Sequence, residues 1–421
     1  MKTFTVYNLG CKVNAYELSA LSSLLIKEGF KEDNRNPDVV LINTCSVTAT
    51  ADQKSRQHIR KMQKLFPNAV IAVMGCYAQG NHKFIEEEIK PTILLGTSHR
   101  RDVIELIKKA ISDGGNYKII EENTRSFEYE ELGITSYTEN VRAFLKIQDG
   151  CNNFCTYCIV PYRRGKMRSR KKENVIEEAK YLVSKGYQEI VLSGIHVGGY
   201  GQDLGDFSFS DLVETLLNID GLKSLRISSI EESEIDEKLI NLITTKDNLA
   251  KHLHIPLQSG SNHVLKLMNR KYTREQFINT IKRIKKLVPD VMISGDVIVG
   301  FPQESEEDFK DTYDLCKECF DMLHVFPYSL RPGTVAARME GQISPEKKKE
   351  RSKVLLDLSN ELYKNFVNRF IDKEVTVLVE KYDKEKQVNI GHTSNYISVE
   401  IPSKESKVGE YITVKLQKSM I

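Results

Sequence analysis

At 421 residues, with 40% hydrophobic and 28% charged side chains, the chain is long enough for two or three domains with cores of their own. No run of about 18 apolar residues offers a membrane span, and Met1-Lys-Thr-Phe-Thr-Val leads straight into a strand pattern without a signal-peptide core, so a cytoplasmic protein is expected. The net charge of +3 is too small to argue for nucleic acid by itself, and 8 cysteines in a reducing compartment speak for metal or redox chemistry over disulfides.

Strand and helix patterns alternate through residues 1–115. Residues 4–8 read as a strand. A helix follows with Asn14 as its cap, Glu17 as the capping-box partner, Leu18, Leu21, Leu24 and Leu25 inward, and Gly29 ending it. Residues 39–43 and 69–74 read as buried strands, and the helix between them carries Ile59, Met62 and Leu65 and stops at Pro67. A helix with Phe84, Ile85 and Ile89, a strand at 93–95 and a helix after Arg101 complete a β/α series, which implies a parallel sheet with right-handed crossovers. Cys11, Cys45 and Cys76 each fall just past the carboxyl end of one of the first three strands. Those ends share one edge of a parallel sheet, so three thiols about one β-α-β unit apart can converge as metal ligands.

Residues 116–140, polar and rich in Tyr and Glu, read as a linker. A second β/α series occupies residues 141–365, with strands at 143–147, 189–193, 224–228, 252–256, 292–299 and 323–328. Six such units make a partial (β/α)6 barrel with its site at the carboxyl ends of the strands. Cys151, Cys155 and Cys158 follow the first of them, and three thiolates at that spacing can hold three irons of a four-iron, four-sulfur cluster and leave the fourth iron open. Glu231 stands past the third strand, and Gln258 and Ser259 past the fourth, placed for ribose or carboxylate contacts at one mouth. Cys316 and Cys319 share one face of a helical pattern with no second pair for zinc, and read as structural; His196, His252 and His254 read as packed or hydrogen-bonded. Two basic runs, 54–61 and 163–172, lie near the mouth, and Arg163, Arg164, Arg168 and Arg170 are candidate phosphate contacts. From residue 366 to 421 the pattern changes to alternation (Val375, Val377, Val379; Val399, Ile401; Ile412, Val414, Leu416), expected to form a small β-barrel in which Tyr396 and Tyr411 could stack on bases.

The cysteine triplet with Tyr157 before its last member, together with Gly10-Cys-Lys-Val-Asn14, Asn43-Thr-Cys-Ser-Val47 and Met74-Gly-Cys-Tyr-Ala78, resembles the radical S-adenosylmethionine (SAM) methylthiotransferases over essentially the whole chain. The tail is similar to the TRAM module that binds RNA. The resemblance implies two [4Fe-4S] clusters. One, on Cys151, Cys155 and Cys158, would bind SAM and, after one-electron reduction, cleave it to methionine and a 5′-deoxyadenosyl radical. The other, on Cys11, Cys45 and Cys76, would carry the sulfur handed to the substrate carbon. It further implies Tyr157, Ser193, Gly194, Glu231, Gln258, Ser259, Asp296 and Gly300 around SAM, a tRNA anticodon stem-loop as partner, and an electron donor such as flavodoxin or ferredoxin. The strings at 10–17 and 43–52 resemble the branch acting on N6-threonylcarbamoyladenosine-37 of tRNA, so methylthiolation at its C2 is the expected activity. Isopentenyladenosine-37 and a ribosomal-protein aspartate are the alternative substrates, and a non-catalytic RNA-binding or iron-sensing protein is the alternative outside enzymes.

Overall fold

The computed structural model describes residues 1–121, 128–133, 141–205 and 207–421; most of the expected linker, residues 122–127 and 134–140, lies outside them. The central strands of the first sheet have no wet face. Val39–Thr44 (β2) is buried at every position and Val70–Gly75 (β3) at all but its first, the pattern of a parallel sheet covered on both sides. From the two-residue edge Lys31–Glu32 the order runs β1 (Thr3–Asn8), β2, β3, β4 (Ile93–Leu95) and β5 (Tyr117–Ile119), all parallel. β5 comes from the stretch whose polar composition reads as linker; Tyr117 and Ile119 nonetheless pack against the core under the sheet.

Helix α1 (Lys12–Lys27) begins earlier than its capping pattern implies. Cys11 is the N-cap, and Asn14 and Glu17 are both buried inside the helix rather than closing its first turn. Helix α2 (Ala49–Leu65) does follow capping chemistry, with the Thr48 side chain accepting from the Ala51 amide at 3.1 Å.

The second sheet contains β6 (Arg142–Lys146), β7 (Glu189–Ser193), β8 (Ser224–Ile227), β9 (His252–His254), β10 (Met292–Val299) and β11 (Met322–Pro327). Two parallel ladders, β8-β7-β6 and β9-β10-β11, are stitched by single bridges Leu225↔Leu249 and Ser229↔His254. Its six strands curl around one large core without closing, as the sequence pattern implies. Helix α1 packs against β6 and covers that open side.

After the long helix Pro345–Asn368, the tail forms a curled antiparallel sheet, order β14 (Ser398–Pro402), β13 (Val388–Thr393), β12 (Glu374–Asp383), β15 (Tyr411–Lys415). β14 and β15 are not joined, so it is a half-barrel. It covers the amino end of the β6–β11 barrel: Met292 shares a core with Phe366, Val377 and Val399, and Arg226 Nη1 donates to the Ser394 carbonyl at 3.2 Å.

Candidate active site

Parallel register brings β1, β2 and β3 to one level, with Asn8 beside Asn43 and Thr44 beside Gly75. Cys11, Cys45 and Cys76 leave the sheet there, and Cys76 opens the short helix α3 (Cys76–Gly80). Gly75 has φ +100°, and a Cβ at that position would stand 2.6 Å from the Thr44 carbonyl oxygen, so only glycine lets β3 turn into α3 beside β2. The three thiols are close enough to feel one another's charge. Burial pushes the Cys45 thiol up to about 11, with Cys76 and Cys11 adding to the shift, and burial likewise raises Cys76.

The second trio occupies one loop. Gly150, at φ +71°, precedes it where a side chain would collide with the Lys166 carbonyl. The Cys151 amide donates to the Gly165 carbonyl (3.1 Å) and the Cys158 amide to the Cys155 carbonyl (2.9 Å). Burial pushes Cys151 up to about 11 and Cys158 up to about 12, with Cys155 contributing to both. Arg270 Nη1 donates to Cys155 Sγ at 3.4 Å, while its Nη2 pairs with Glu231. Both trios therefore present three free thiols and no disulfide, Cys11 exposed and the other five partly or fully buried, a donor set that fits a cluster exchanging protons for iron and keeping one iron open. Cys316 and Cys319 cannot serve as a fourth ligand; both are buried in the barrel core beside Leu315 and Phe320.

The remaining site positions divide. Tyr157 and Gly194 are partly open, and Tyr157 stands edge-on to Phe301. Gln258, at φ +64°, is half-buried and its amide donates to the Asp296 carbonyl at 2.8 Å. Ser193 is buried at the end of β7 with an unpartnered hydroxyl among the described residues. Ser259 departs from the expectation: it is fully buried, its hydroxyl 3.3 Å from Thr312 Oγ1, and thus holds a turn instead of facing the mouth. Gly300 is buried too, and its amide donates to the Glu304 carboxylate at 3.1 Å. Asp296 faces the barrel interior, 3.2 Å from His254 Nε2 and 3.5 Å from His324 Nδ1.

The basic run after Cys158 requires a correction. Arg164, Arg168 and Arg170 are buried in ion pairs and are therefore withdrawn from the candidate phosphate contacts; Arg163 remains half-exposed. Arg164 Nη1 lies 2.9 Å from Glu17 and 3.1 Å from Asp149, Arg168 lies 3.3 Å from Asp149, and Arg170 pairs with Glu131 (2.8 Å) and Glu178. Lys146 (2.9 Å) and Arg100 (3.2 Å) complete the shell around Glu17. Burial alone would raise Glu17, but Arg100, Arg164 and Lys146 overcome it and hold the carboxyl far below its usual range; Asp149 is lowered in the same way. Sequence periodicity missed this network because Glu17 lies 129 residues from Lys146 and 147 from Arg164, and nothing in a linear pattern pairs them. The network joins the first sheet to the barrel, and Arg164 Nε also donates to Cys76 Sγ at 3.2 Å. A second link was equally invisible: Arg331, beyond β11, reaches Ser46 (3.0 Å) and Asp52 (2.8 Å) beside Cys45.

A cavity of ≈ 340 Å³ lies inside the barrel, and all three regions of the chain line it: Lys12 from α1, Phe144, Arg226, His254 and Asp296 from the barrel, and Tyr396 from the tail. Tyr396 is not a free stacking platform. It lies flat on His252 at 4.7 Å, with the Arg226 guanidinium 5.0 Å from its ring.

This geometry, a cysteine loop past the first strand of an open six-stranded barrel, defines a radical SAM protein. Residues 145–316 match the radical SAM superfamily, and residues 3–96 match a group described as Uncharacterized protein family UPF0004. Among solved structures, the radical SAM methyltransferase TsrM from Kitasatospora setae, with cobalamin and a [4Fe-4S] cluster bound, shares the fold at a TM-score of 0.61 and 15% identity, over 80% of this chain and 77% of that one. More specifically, the chain belongs to the radical SAM methylthiotransferases. It is 43% identical to the threonylcarbamoyladenosine tRNA methylthiotransferase MtaB of Bacillus subtilis (strain 168), over 100% of this chain and 94% of the relative. Identity to MtaB of Aquifex aeolicus is 36%, covering 93% and 94% of the two chains. The tRNA-2-methylthio-N(6)-dimethylallyladenosine synthase of Acetivibrio thermocellus is also 36% identical, over 99% of this chain and 88% of its own.

Proposed function

We propose that this protein inserts a methylthio group at C2 of N6-threonylcarbamoyladenosine-37 in the anticodon stem-loop of tRNA. The observation that carries the reading is the placement of both cysteine trios along one interface. Helix α3, which begins at Cys76, packs on Val160–Arg164, the helix just after Cys158, and Thr97 Oγ1 donates to the Arg163 carbonyl there at 2.6 Å. When bound, two [4Fe-4S] clusters and SAM supply the radical and methylthio chemistry that no side chain provides.

The chain's own residues hold and shield that chemistry. Cys151, Cys155 and Cys158 are the ligands of one cluster, with Arg270 beside Cys155 and Glu231 orienting Arg270. Tyr157, Ser193, Gly194, Gln258 and Glu231 form the SAM side of the mouth. Cys11, Cys45 and Cys76 are the ligands of the second, with Arg164 as the buried cation beside Cys76 and Arg331 pinning the Cys45 loop to the barrel. Such fixed cations favour negative charge on the sulfurs without reorganising. The curled tail sheet adds an RNA-facing surface, Arg163 stays half-open at the interface, and a flavodoxin or ferredoxin supplies electrons.

Nucleoside mass spectrometry of tRNA from cells with and without the gene tests the proposal. Deletion should abolish 2-methylthio-N6-threonylcarbamoyladenosine and leave the unmethylthiolated nucleoside in its place. Loss of the methylthio-isopentenyl nucleoside instead would assign the protein to the other branch.

A further inference from the structure

One charged side chain on the wall of the barrel cavity has no partner among the described residues. Glu189 is held by Arg142 and by Arg226 (Nη2, 3.0 Å), and Arg142 also reaches Glu380 at 2.8 Å. Asp296 is held between His254 and His324. Lys12 also lines the cavity, remains open to solvent within it, and has neither ion pair nor hydrogen-bond partner for its ammonium among the described residues. A second polar group on the wall is incomplete: His252 is 7% exposed, its Nε2 is 2.8 Å from Ser294 Oγ, and its Nδ1 has no hydrogen-bond partner among the described residues. Apolar Phe144, Val191 and Met322 share the lining. A few hundred Å³ of mixed wall with an unmatched cation suits a small, mostly neutral ligand that carries one anionic group.

The identity of that group rests on the function proposed above. We propose that this cavity receives the N6 side chain of threonylcarbamoyladenosine, and that Lys12 is the counter-ion of its carboxylate. An isopentenyl chain offers no charge and would leave the Lys12 ammonium walled in without a partner. Polar sites reject ligands that lack the matching group more strongly than apolar sites reject extra bulk. Lys12 is thus a specificity residue, and because it follows Cys11 directly, recognition of the side chain and delivery of sulfur share one turn of α1.

The test titrates three anticodon stem-loops against the cluster-reconstituted full chain without SAM: threonylcarbamoyladenosine, its threonine methyl ester, and isopentenyladenosine. The wild-type chain should bind the acid about tenfold or more tighter than the ester, as loss of a charge-assisted contact requires. Lys12→Gln should bind acid and ester alike, at the ester's affinity, and Lys12→Arg should keep most of the preference. Equal weakening of acid and ester in Lys12→Gln would make Lys12 a backbone-phosphate contact, and an undiminished preference would place the carboxylate elsewhere; either overturns the assignment. Iron content and SAM cleavage show whether Lys12→Gln still holds both clusters. The wild-type acid-to-ester ratio decides the matter without the variant, since a ratio near one overturns the assignment. A wild-type enzyme that modifies only the isopentenyl stem-loop refutes the function itself. One that modifies threonylcarbamoyladenosine yet binds acid and ester alike refutes only the role of Lys12.

Discussion

The two cysteine trios are assembled by opposite routes. Cys151, Cys155 and Cys158 are neighbours in one loop, fastened by local backbone bonds and by Gly150. Cys11, Cys45 and Cys76 come from three separate β/α units, and it is the parallel register of β1, β2 and β3 that gathers them. A local site needs only its loop, whereas an assembled one needs the whole sheet and whatever fixes the sheet against its neighbour. The buried ions around Glu17 supply that second requirement.

Substitutions should separate the two routes. The largest effect is expected from Cys155→Ala, which should abolish both SAM cleavage and methylthio transfer, whereas Cys45→Ala should abolish transfer and retain cleavage; anaerobic cleavage assays on both would check this, and equal loss of cleavage would deny the trios separate roles. Next comes Glu17→Gln. It leaves Arg100, Arg164 and Lys146 around an uncharged group, a change that typically costs about 3–5 kcal/mol when one partner of a buried network is lost. Urea unfolding should register that loss, and iron should leave the early trio before the barrel trio. A fall within experimental error would show that the network carries little of the interface.

Gly75→Ala should cost about 1 kcal/mol or more through its positive φ and the Thr44 contact. The damage should fall on the early trio's iron, with SAM cleavage nearly intact. The smallest effect is one of pH. Glu17 and Asp149 have folded pKa values below their unfolded ones. Their contribution is therefore fully present above the unfolded carboxylate range, about pH 4, and is lost as pH falls below it. The urea midpoint of the wild type should decline as pH drops from about 5 to 3, and that slope should be shallower in Glu17→Gln.

The same contrast explains what was legible in the sequence. The β/α alternation, the six barrel strands and the tail's change of period follow from periodicity, because local physics dictates them, and the strand-end positions of Cys11, Cys45 and Cys76 follow from that alternation. Asn14 and Glu17 misled because a helix cap and a buried ion look alike in a linear pattern; the helix starts at Lys12, which turns both inward. Arg164, Arg168 and Arg170 read as phosphate contacts because their partners, among them Glu17, Glu131 and Asp149, are contributed by other parts of the fold. Tyr396 read as a stacking platform until the barrel supplied His252 to stack on. Tertiary pairing decided each of these.

Iron quantitation on the wild type and two variants tests the central claim most directly. Two independent four-iron sites predict about eight irons in the reconstituted wild-type chain, and about four each when Cys45, Cys76 or Cys155, Cys158 are replaced by alanine in pairs. A wild-type chain holding only about four irons, or a Cys45/Cys76 double variant that keeps about eight, would contradict it.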